Sequence, residues 1–177
     1  LTVGILDADV YGHSIPRLMG LMGQRPTAID QMFIPLESYG VKTVSMEMFK
    51  PERSDPVAYR GPLLHRVLEQ LLSDAYWGDL DVLLIDLPPG TGDIHLSLLQ
   101  LLSLDGVVIV STPQEVALAD ARRGINMFRM EGAKVPIVGI IENMAWFTPA
   151  ELPENKYYIF GRDGAKNLAE GMNVPFL

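Results

Sequence analysis

The stretch that decides the fold is Asp81–Asp93, which reads Asp-Val-Leu-Leu-Ile-Asp-Leu-Pro-Pro-Gly-Thr-Gly-Asp. Its uninterrupted apolar run, Val82–Ile85, is typical of a strand that is buried on both faces of a parallel sheet. Asp86 follows at the carboxyl end of that strand, where open α/β sheets bind their ligands. The prolines and glycines after it expose backbone N–H groups, and Asp93 can cap the next helix. A carboxylate beside such a loop favours a magnesium-bound phosphate, whereas the alternative is a plain strand, loop and capped helix.

Around this stretch, apolar segments of strand length alternate with helical patterns. The expected strands are Leu1–Leu6, Val41–Met46, Val82–Ile85, Gly106–Val110 and Val135–Ile141, with further extended pieces at Met32–Leu36 and Tyr158–Gly161. The expected helices are Arg17–Leu21, a leucine-rich helix after Gly61-Pro62, Ile94–Leu102, Glu115–Glu131 and a capped final helix, Asp163–Gly171, with a loop at Lys50–Asp55. This alternation is the signature of right-handed βαβ units. It predicts an α/β, doubly wound, mostly parallel sheet with helices on both faces.

Composition narrows the class of protein. With 14 lysine and arginine residues against 22 acidic ones, the net charge is −8, and no basic run indicates a nucleic-acid partner. No apolar run reaches membrane-spanning length and no signal-peptide pattern appears. The absence of cysteine fits a cytoplasmic protein, which is the location we expect. The 177 residues contain no cysteine, which excludes disulfides and thiolate metal ligands within them. They fit a single domain, 1–177, and the mid-strand start at Leu1 predicts a fragment of a longer protein.

Polar residues follow several of the expected strands. Asp7 and Asp9 end the first strand, Pro113 follows the strand at 106–110, and Asn143 follows the strand at 135–141. Together with Asp86 they are expected on one edge of the sheet, because parallel strands present their carboxyl ends together. Two such carboxylates suit the orientation of a metal or an attacking water, and the amide of Asn143 suits an adenine edge. The alternatives are solvated strand-end acids and a simple turn residue.

Four motifs in the chain resemble one known family. They are Val3–Gly12, Ile85–Asp93, Thr112–Asp120 and Gly139–Met144. All look like motifs of the Mrp/ApbC-type P-loop ATPases, which are iron–sulfur cluster carriers related to the nitrogenase iron protein and to the Min and chromosome-partitioning ATPases. The resemblance covers nearly the whole chain.

The resemblance implies roles for the acidic residues and for two glycines of the first two motifs. Asp9 would orient the attacking water, with Asp7 beside the magnesium and the phosphates. Asp86 would be the Walker B acid at the metal. Gly90 and Gly92 would belong to the switch loop that senses the γ-phosphate.

The resemblance also implies ligands and partners. Asn143 would read adenine, and Pro113 would lie with the nucleotide-binding residues. ATP and Mg²⁺ are the implied cofactors, a homodimer is the implied assembly, and iron–sulfur recipient proteins are the implied partners. The implied function is ATP hydrolysis coupled to iron–sulfur cluster assembly or transfer.

Three departures from the family motifs stand out. The family's glycine-rich phosphate loop with its lysines would lie upstream of Leu1, so these residues alone are expected to be inactive and to bind ATP poorly. The paired cysteines that would bridge a cluster would fall near Pro149 and Leu152, so the chain by itself is not expected to hold a cysteine-ligated cluster. His13 stands where the family usually has proline, and we expect a loop residue there rather than a metal ligand. The missing cysteines keep open an alternative function, a nucleotide-dependent dimerising switch of the Min or partitioning type.

Overall fold

The computed structural model describes residues 1–9, 12–49 and 61–177, and the chain divides into two compact units. The first unit is Leu1–Leu101 and the second is Leu102–Leu177. The strands are β1 Val3–Asp7, β2 Thr27–Ile29, β3 Met32–Ile34, β4 Leu36–Ser38, β5 Val41–Ser45, β6 Val82–Asp86, β7 Val107–Ser111 and β8 Ile137–Glu142. The helices are α1 Ile15–Leu18, α2 Gly61–Ser73, α3 Asp93–Leu101, α4 Glu115–Arg129 and α5 Gly164–Met172. A 3₁₀ turn at Met46–Phe49 follows β5. The expected single domain, 1–177, stays a prediction.

The first unit is organised on a four-stranded sheet in the order β4-β5-β1-β6. β1 is parallel to both β5 and β6, and β4 adds an antiparallel edge. In this register Asp7 is level with Ser45 on one side and with Asp86 on the other. Three adjacent strands therefore end at the same height, each with a polar side chain as its last residue.

The core of the first unit lies between this sheet and α2. It contains Leu6 and Val44 from the strands and Leu71 and Ala75 from α2 and the residues after it. The i, i+4 spacing of apolar residues on α2 provides the stripe that packs on the sheet. Gly4 allows the side chains of Leu80 and Trp77 to pack closely on β1, since a Cβ there would lie 2.8 Å from Leu80 and 2.9 Å from the ring of Trp77. The indole of Trp77 donates a hydrogen bond to the carbonyl of Leu72, which fixes the ring against β1.

The second unit contains two parallel strands, β7 and β8, with α4 and α5 packed against them. Its buried side chains come from both helices and from β8: Leu118, Ala121, Ile125, Ile140, Ala165, Leu168 and Ala169. A segment rich in aromatic residues connects β8 to α5. There the ammonium of Lys156 lies 3.8 Å from the ring centre of Trp146, which is about half exposed.

The α/β class with a mostly parallel sheet is confirmed, and most expected elements are present within a few residues. The extended piece expected at Met32–Leu36 is instead two short strands separated by Pro35, because proline lacks the N–H that continued pairing needs. The hairpin partner of β3, Thr27–Ile29, gave no strand signal in the sequence. The short helix lies at Ile15–Leu18, earlier than expected, with Pro16 in its first turn.

Three further predictions about local structure differ from the structure. Tyr158–Gly161 is a turn rather than an extended piece, and Gly161 has a φ of +104° that ends it. Asp163 precedes α5 but makes no side-chain capping hydrogen bond, since its own backbone is left-handed with φ of +57°. Asp93 is the first residue of α3 rather than a residue before it, where its charge still favours the helix amino terminus. The loop expected at Lys50–Asp55 lies outside the described residues.

Within the described part of the chain, no helix combines the length and the apolar character needed to cross a membrane.

Candidate functional site

The candidate site of the first unit begins with the level ends of β5, β1 and β6. Their last residues are Ser45, Asp7 and Asp86. Ser45 and Asp7 are fully buried, whereas Asp86 is exposed at the edge strand. The structure thus brings together two of the acids that the sequence singled out, one inside the protein and one open to a ligand.

Hydrogen bonds fix both oxygens of the Asp7 carboxylate. The hydroxyl of Ser45 donates to Asp7 Oδ2 at 3.1 Å, and the backbone N–H of Asp9 donates to Asp7 Oδ1 at 3.2 Å. The Ser45 hydroxyl in turn accepts a hydrogen bond from the backbone N–H of Glu47 at 3.3 Å. Asp7 therefore joins the end of β5 to the chain that follows β1.

The electrostatics of the two acids reflect this crowding. Burial raises the pKa of Asp7, the hydrogen bonds from Ser45 and from the Asp9 backbone lower it again, and the charge of Asp86 raises it. The pKa of Asp86 is also raised, first by partial loss of hydration and then by the negative charge of Asp9. Burial is the largest cause of both upward shifts, and repulsion from neighbouring negative charge adds to it. A divalent cation at this edge would relieve that repulsion.

Asp9 lies just beyond the end of β1 and is partly buried. Its Oδ1 accepts a hydrogen bond from the backbone N–H of Gly12 at 2.8 Å. A Cβ at Gly12 would lie 2.7 Å from Asp9 Oδ2, so any larger residue there would push against this carboxylate. The position of Asp9 thus depends on Asp7 through its backbone and on Gly12 through its side chain.

The loop between β6 and α3 contains Gly90 and Gly92. Gly90 has a φ of +93°, and both glycines face open space on the side where a Cβ would be. His95, in the first turn of α3, is 4% exposed. Burial lowers the pKa of His95, and hydrogen bonds to the backbone of Gly92 and Pro88 partly offset this. A buried imidazole therefore anchors the loop to α3 and leaves its glycine side open.

The acids fit a magnesium ion that is shared with a phosphate. In the described residues, no three His, Cys, Asp or Glu side chains converge closely enough to hold a metal ion by themselves. Mg²⁺ does not require such a cage, because it keeps several waters and takes one or two carboxylates plus phosphate oxygens. The donor set here is oxygen only, which suits that ion. It does not suit an iron–sulfur cluster, because the 177 residues offer no thiolate.

The remaining predicted site residues lie in the second unit. Pro113 follows β7 and is buried, with its carbonyl oxygen close to the start of α5, where a Cβ at Gly164 would lie 2.5 Å away. Asn143 follows β8 and is exposed, and its backbone N–H donates to the carbonyl of Ser111 at 2.8 Å. Its Oδ1 accepts a hydrogen bond from the backbone N–H of Met144 at 2.9 Å. That these two residues share a sheet edge with the acids stays a prediction.

Three residues that organise these sites were not predicted from the sequence. Ser45 gave no signal because a serine that ends a strand is common. His95 was read only as part of an apolar helix. Glu142, at the end of β8, accepts a hydrogen bond from the backbone N–H of Ala165 at 2.7 Å and thereby caps α5. His13, expected to be a loop residue, forms an ion-pair contact with Glu47, which follows Ser45.

The fold and the acid-bearing strand ends define an α/β protein of the nucleotide-binding class. All of residues 1–177 match the family described as ParA, NUBPL iron-transfer P-loop NTPase, and the chain belongs to this family.

Individual relatives agree with that assignment. The chain is 48% identical to the iron-sulfur cluster transfer protein NUBPL of Dictyostelium discoideum, over 100% of this chain and 54% of the relative. It is 46% identical to the iron-sulfur cluster carrier protein of Aquifex aeolicus, over 99% of this chain and 48% of the relative. A nucleotide-binding protein of Archaeoglobus fulgidus, solved in complex with ADP, superposes with a TM-score of 0.81 and 37% identity, over 99% of this chain and 67% of that one. The chain thus spans about half the length of these curated relatives.

Proposed function

We propose that this chain is the nucleotide-responsive part of an ATP-hydrolysing protein that carries and delivers iron–sulfur clusters. The observation that carries the proposal is the level ending of β5, β1 and β6, which sets Asp7 and Asp86 side by side. Acids at the carboxyl ends of parallel strands, followed by a glycine loop, suit a magnesium–phosphate ligand. The names of the relatives, cluster transfer and cluster carrier proteins, support the same function.

In this proposal each acid has a separate task. Asp86, which is exposed, holds the water shell of Mg²⁺, and Asp9 orients the water that attacks the γ-phosphate. Gly90 and Gly92 offer backbone N–H groups to that phosphate. Asn143 reads adenine, with Pro113 nearby in the nucleotide site.

The cluster is the cargo in this proposal, and its ligands come from outside these 177 residues. No cysteine is available at Pro149, at Leu152 or elsewhere in the chain. A homodimer that binds nucleotide between its subunits, cytoplasmic location and delivery to iron–sulfur recipient proteins complete the proposal. The alternative, a Min-type regulatory switch, explains the missing cysteines, but it is not favoured by relatives named for cluster carriage and transfer.

The test is ATP hydrolysis by this chain extended upstream with the phosphate-binding segment that the family resemblance predicts. Asp9→Asn is expected to keep nucleotide affinity within about 2-fold and to lower kcat about 100-fold, because an amide neither accepts a proton nor orients water as a carboxylate does. Asp86→Asn is expected to raise the Mg²⁺ concentration needed for half-maximal rate. Calorimetric titration with Mg-ATP separates binding from turnover. Wild-type turnover in Asp9→Asn would remove Asp9 from the mechanism, and no turnover in the extended wild type would overturn the proposed function.

A further inference from the structure

We propose that Ser45 is a positioning residue for the acidic site, and that it acts on Asp9 through Asp7. The inference rests on the proposed function for its catalytic consequence, although its structural part stands on the geometry of the first unit alone. Nothing in the sequence motifs assigns a role to Ser45. In this arrangement Asp7 holds the backbone of Asp9 in place and does not itself contact the nucleotide.

A chain of hydrogen bonds connects Ser45 to Asp9 through Asp7. The Ser45 oxygen accepts from the backbone N–H of Glu47, so its own proton is left to point at Asp7 Oδ2. Asp7 Oδ1 then accepts the backbone N–H of Asp9. The chain runs from the 3₁₀ turn after β5, through two buried side chains, to the residue that would orient water.

Asp7 is buried, which favours a supporting role for it rather than contact with a ligand. Asp7 has no exposed surface, and both of its oxygens already accept hydrogen bonds from the protein. Because the Asp7 carboxylate has no exposed surface, Asp86, which is exposed at the same level, is the acid of this pair that a ligand can reach. The task that suits Asp7 is therefore to hold the backbone of Asp9.

The position of Asp86 explains why a hydroxyl is needed at residue 45. Asp7 is level with Asp86 on one side and with Ser45 on the other, and the two acids repel each other. A neutral donor on the β5 side draws one carboxylate oxygen toward β5 and leaves the other for Asp9. Without that donor the buried carboxylate loses a charge-assisted hydrogen bond and its fixed orientation.

The activity test compares Ser45→Ala with Ser45→Thr in the extended, ATP-hydrolysing protein. Ser45→Ala is expected to lower kcat about 10-fold with KM changed less than about 2-fold, because the supporting hydrogen bond of a catalytic group is lost while nucleotide contacts remain. Ser45→Thr retains the hydroxyl and is expected to stay within about 2-fold of the wild type. The matched control is Thr43→Val, which removes a second buried hydroxyl of β5, one whose hydrogen bond goes to the carbonyl of Val41. An unchanged kcat in Ser45→Ala, or an equal loss in Thr43→Val, would overturn the proposal.

A second measurement needs no nucleotide. Hydrogen exchange of the Asp9 amide in the 177-residue chain is expected to be at least about 10-fold faster in Ser45→Ala than in Thr43→Val, with the amides of β1 equally protected in both. Uniform loss of protection across the first unit would show a merely structural role and overturn the proposal. If the extended wild type does not hydrolyse ATP, the proposed function fails while this exchange result still decides the linkage from Ser45 to Asp9.

Discussion

The two units use strand-end acids in opposite ways. In the first unit Asp7 is level with Ser45 and Asp86, and both acids have raised pKa values because burial and neighbouring negative charge oppose their ionisation. In the second unit the parallel pairing of β7 and β8 sets Ser111 level with Glu142. There the carboxylate accepts the backbone N–H of Ala165 at 2.7 Å, at the amino terminus of α5. The acids of the first unit thus lie next to one another, whereas Glu142 accepts a hydrogen bond from the start of a helix.

The difference shows that an acid at the end of a parallel strand is not by itself a ligand-binding group. What decides its role is the element that follows in space. After β8 the amino terminus of α5 comes back to Glu142, and a helix amino terminus favours a carboxylate. In the first unit Asp86 has no helix amino terminus as its partner among the described contacts, and partial burial and the negative charge of Asp9 raise its pKa instead.

The largest stability effect is expected from Glu142→Ala. Loss of the hydrogen bond to Ala165 and of the favourable charge at the start of α5 is expected to lower the free energy of unfolding by about 2 kcal/mol. Glu142→Gln, which keeps an acceptor oxygen, should lose less. The control is Glu170→Ala, an exposed acid on the same helix, and urea denaturation provides the measurement. Equal losses in Glu142→Ala and Glu170→Ala would mean that Glu142 does not cap α5.

An intermediate effect is expected in the loop that follows β6. Gly90→Ala is expected to lower the free energy of unfolding by about 1 kcal/mol, because its φ of +93° is strained for a residue with a Cβ. Gly92→Ala is the matched control, since it lies in the same loop, has open space for a Cβ and has no such φ. Thermal unfolding of both variants checks the prediction, which requires Gly90→Ala to be the less stable of the two.

The smallest effect is expected in the pH dependence of stability, because hydrogen bonds to Asp7 offset part of the cost of its burial. A carboxyl group whose pKa is raised by folding binds more protons in the folded state than in the unfolded state. Its ionisation therefore costs stability as pH rises from its ordinary pKa of 3.8 through the folded value. Asp7→Asn removes this titration, so the stability of Asp7→Asn relative to the wild type should increase between pH 4 and pH 7. Melting curves across that range provide the measurement, and Asp105→Asn is the control for the change in net charge. The prediction would be contradicted if the stability of Asp7→Asn and that of Asp105→Asn, each relative to the wild type, changed with pH in the same way.

Much of the fold follows from local sequence. The all-apolar run Val82–Ile85 and its counterparts predicted parallel strands correctly. The expected burial of Val82–Ile85 on both faces was wrong, because β6 lies at the edge of its sheet and its Val82 and Leu84 side chains are exposed in the described part of the chain. The helical stripe of α2 was equally clear from its spacing. Short and irregular elements were less predictable: Thr27–Ile29 pairs only with its own hairpin partner, and Tyr158–Gly161 turns because of one left-handed glycine. Neither depends on a periodic pattern that a sequence displays.

The sequence singled out candidate site residues only where a chemically reactive side chain lies at the end of a recognisable strand. Asp7 and Asp86 stood out as acids at strand ends, and the parallel register brings them level. Ser45 could not be found in this way, because its role depends on the register between β5 and β1. Ser45 and its partner Asp7 are 38 residues apart in the sequence. The capping role of Glu142 was missed for the same reason, since Ala165 lies 23 residues further along the chain.

Each unit contains one of the two tryptophans of the chain, so intrinsic fluorescence has one contribution from each unit. Trp77 is packed on Gly4 with its indole N–H bonded to the carbonyl of Leu72, whereas Trp146 is about half exposed beneath the ammonium of Lys156. A shielded indole emits at shorter wavelength than a hydrated one. Because Trp77 packs on β1 at Gly4, its emission band reports on the packing of the first unit, with Trp146 as an internal reference in the other unit.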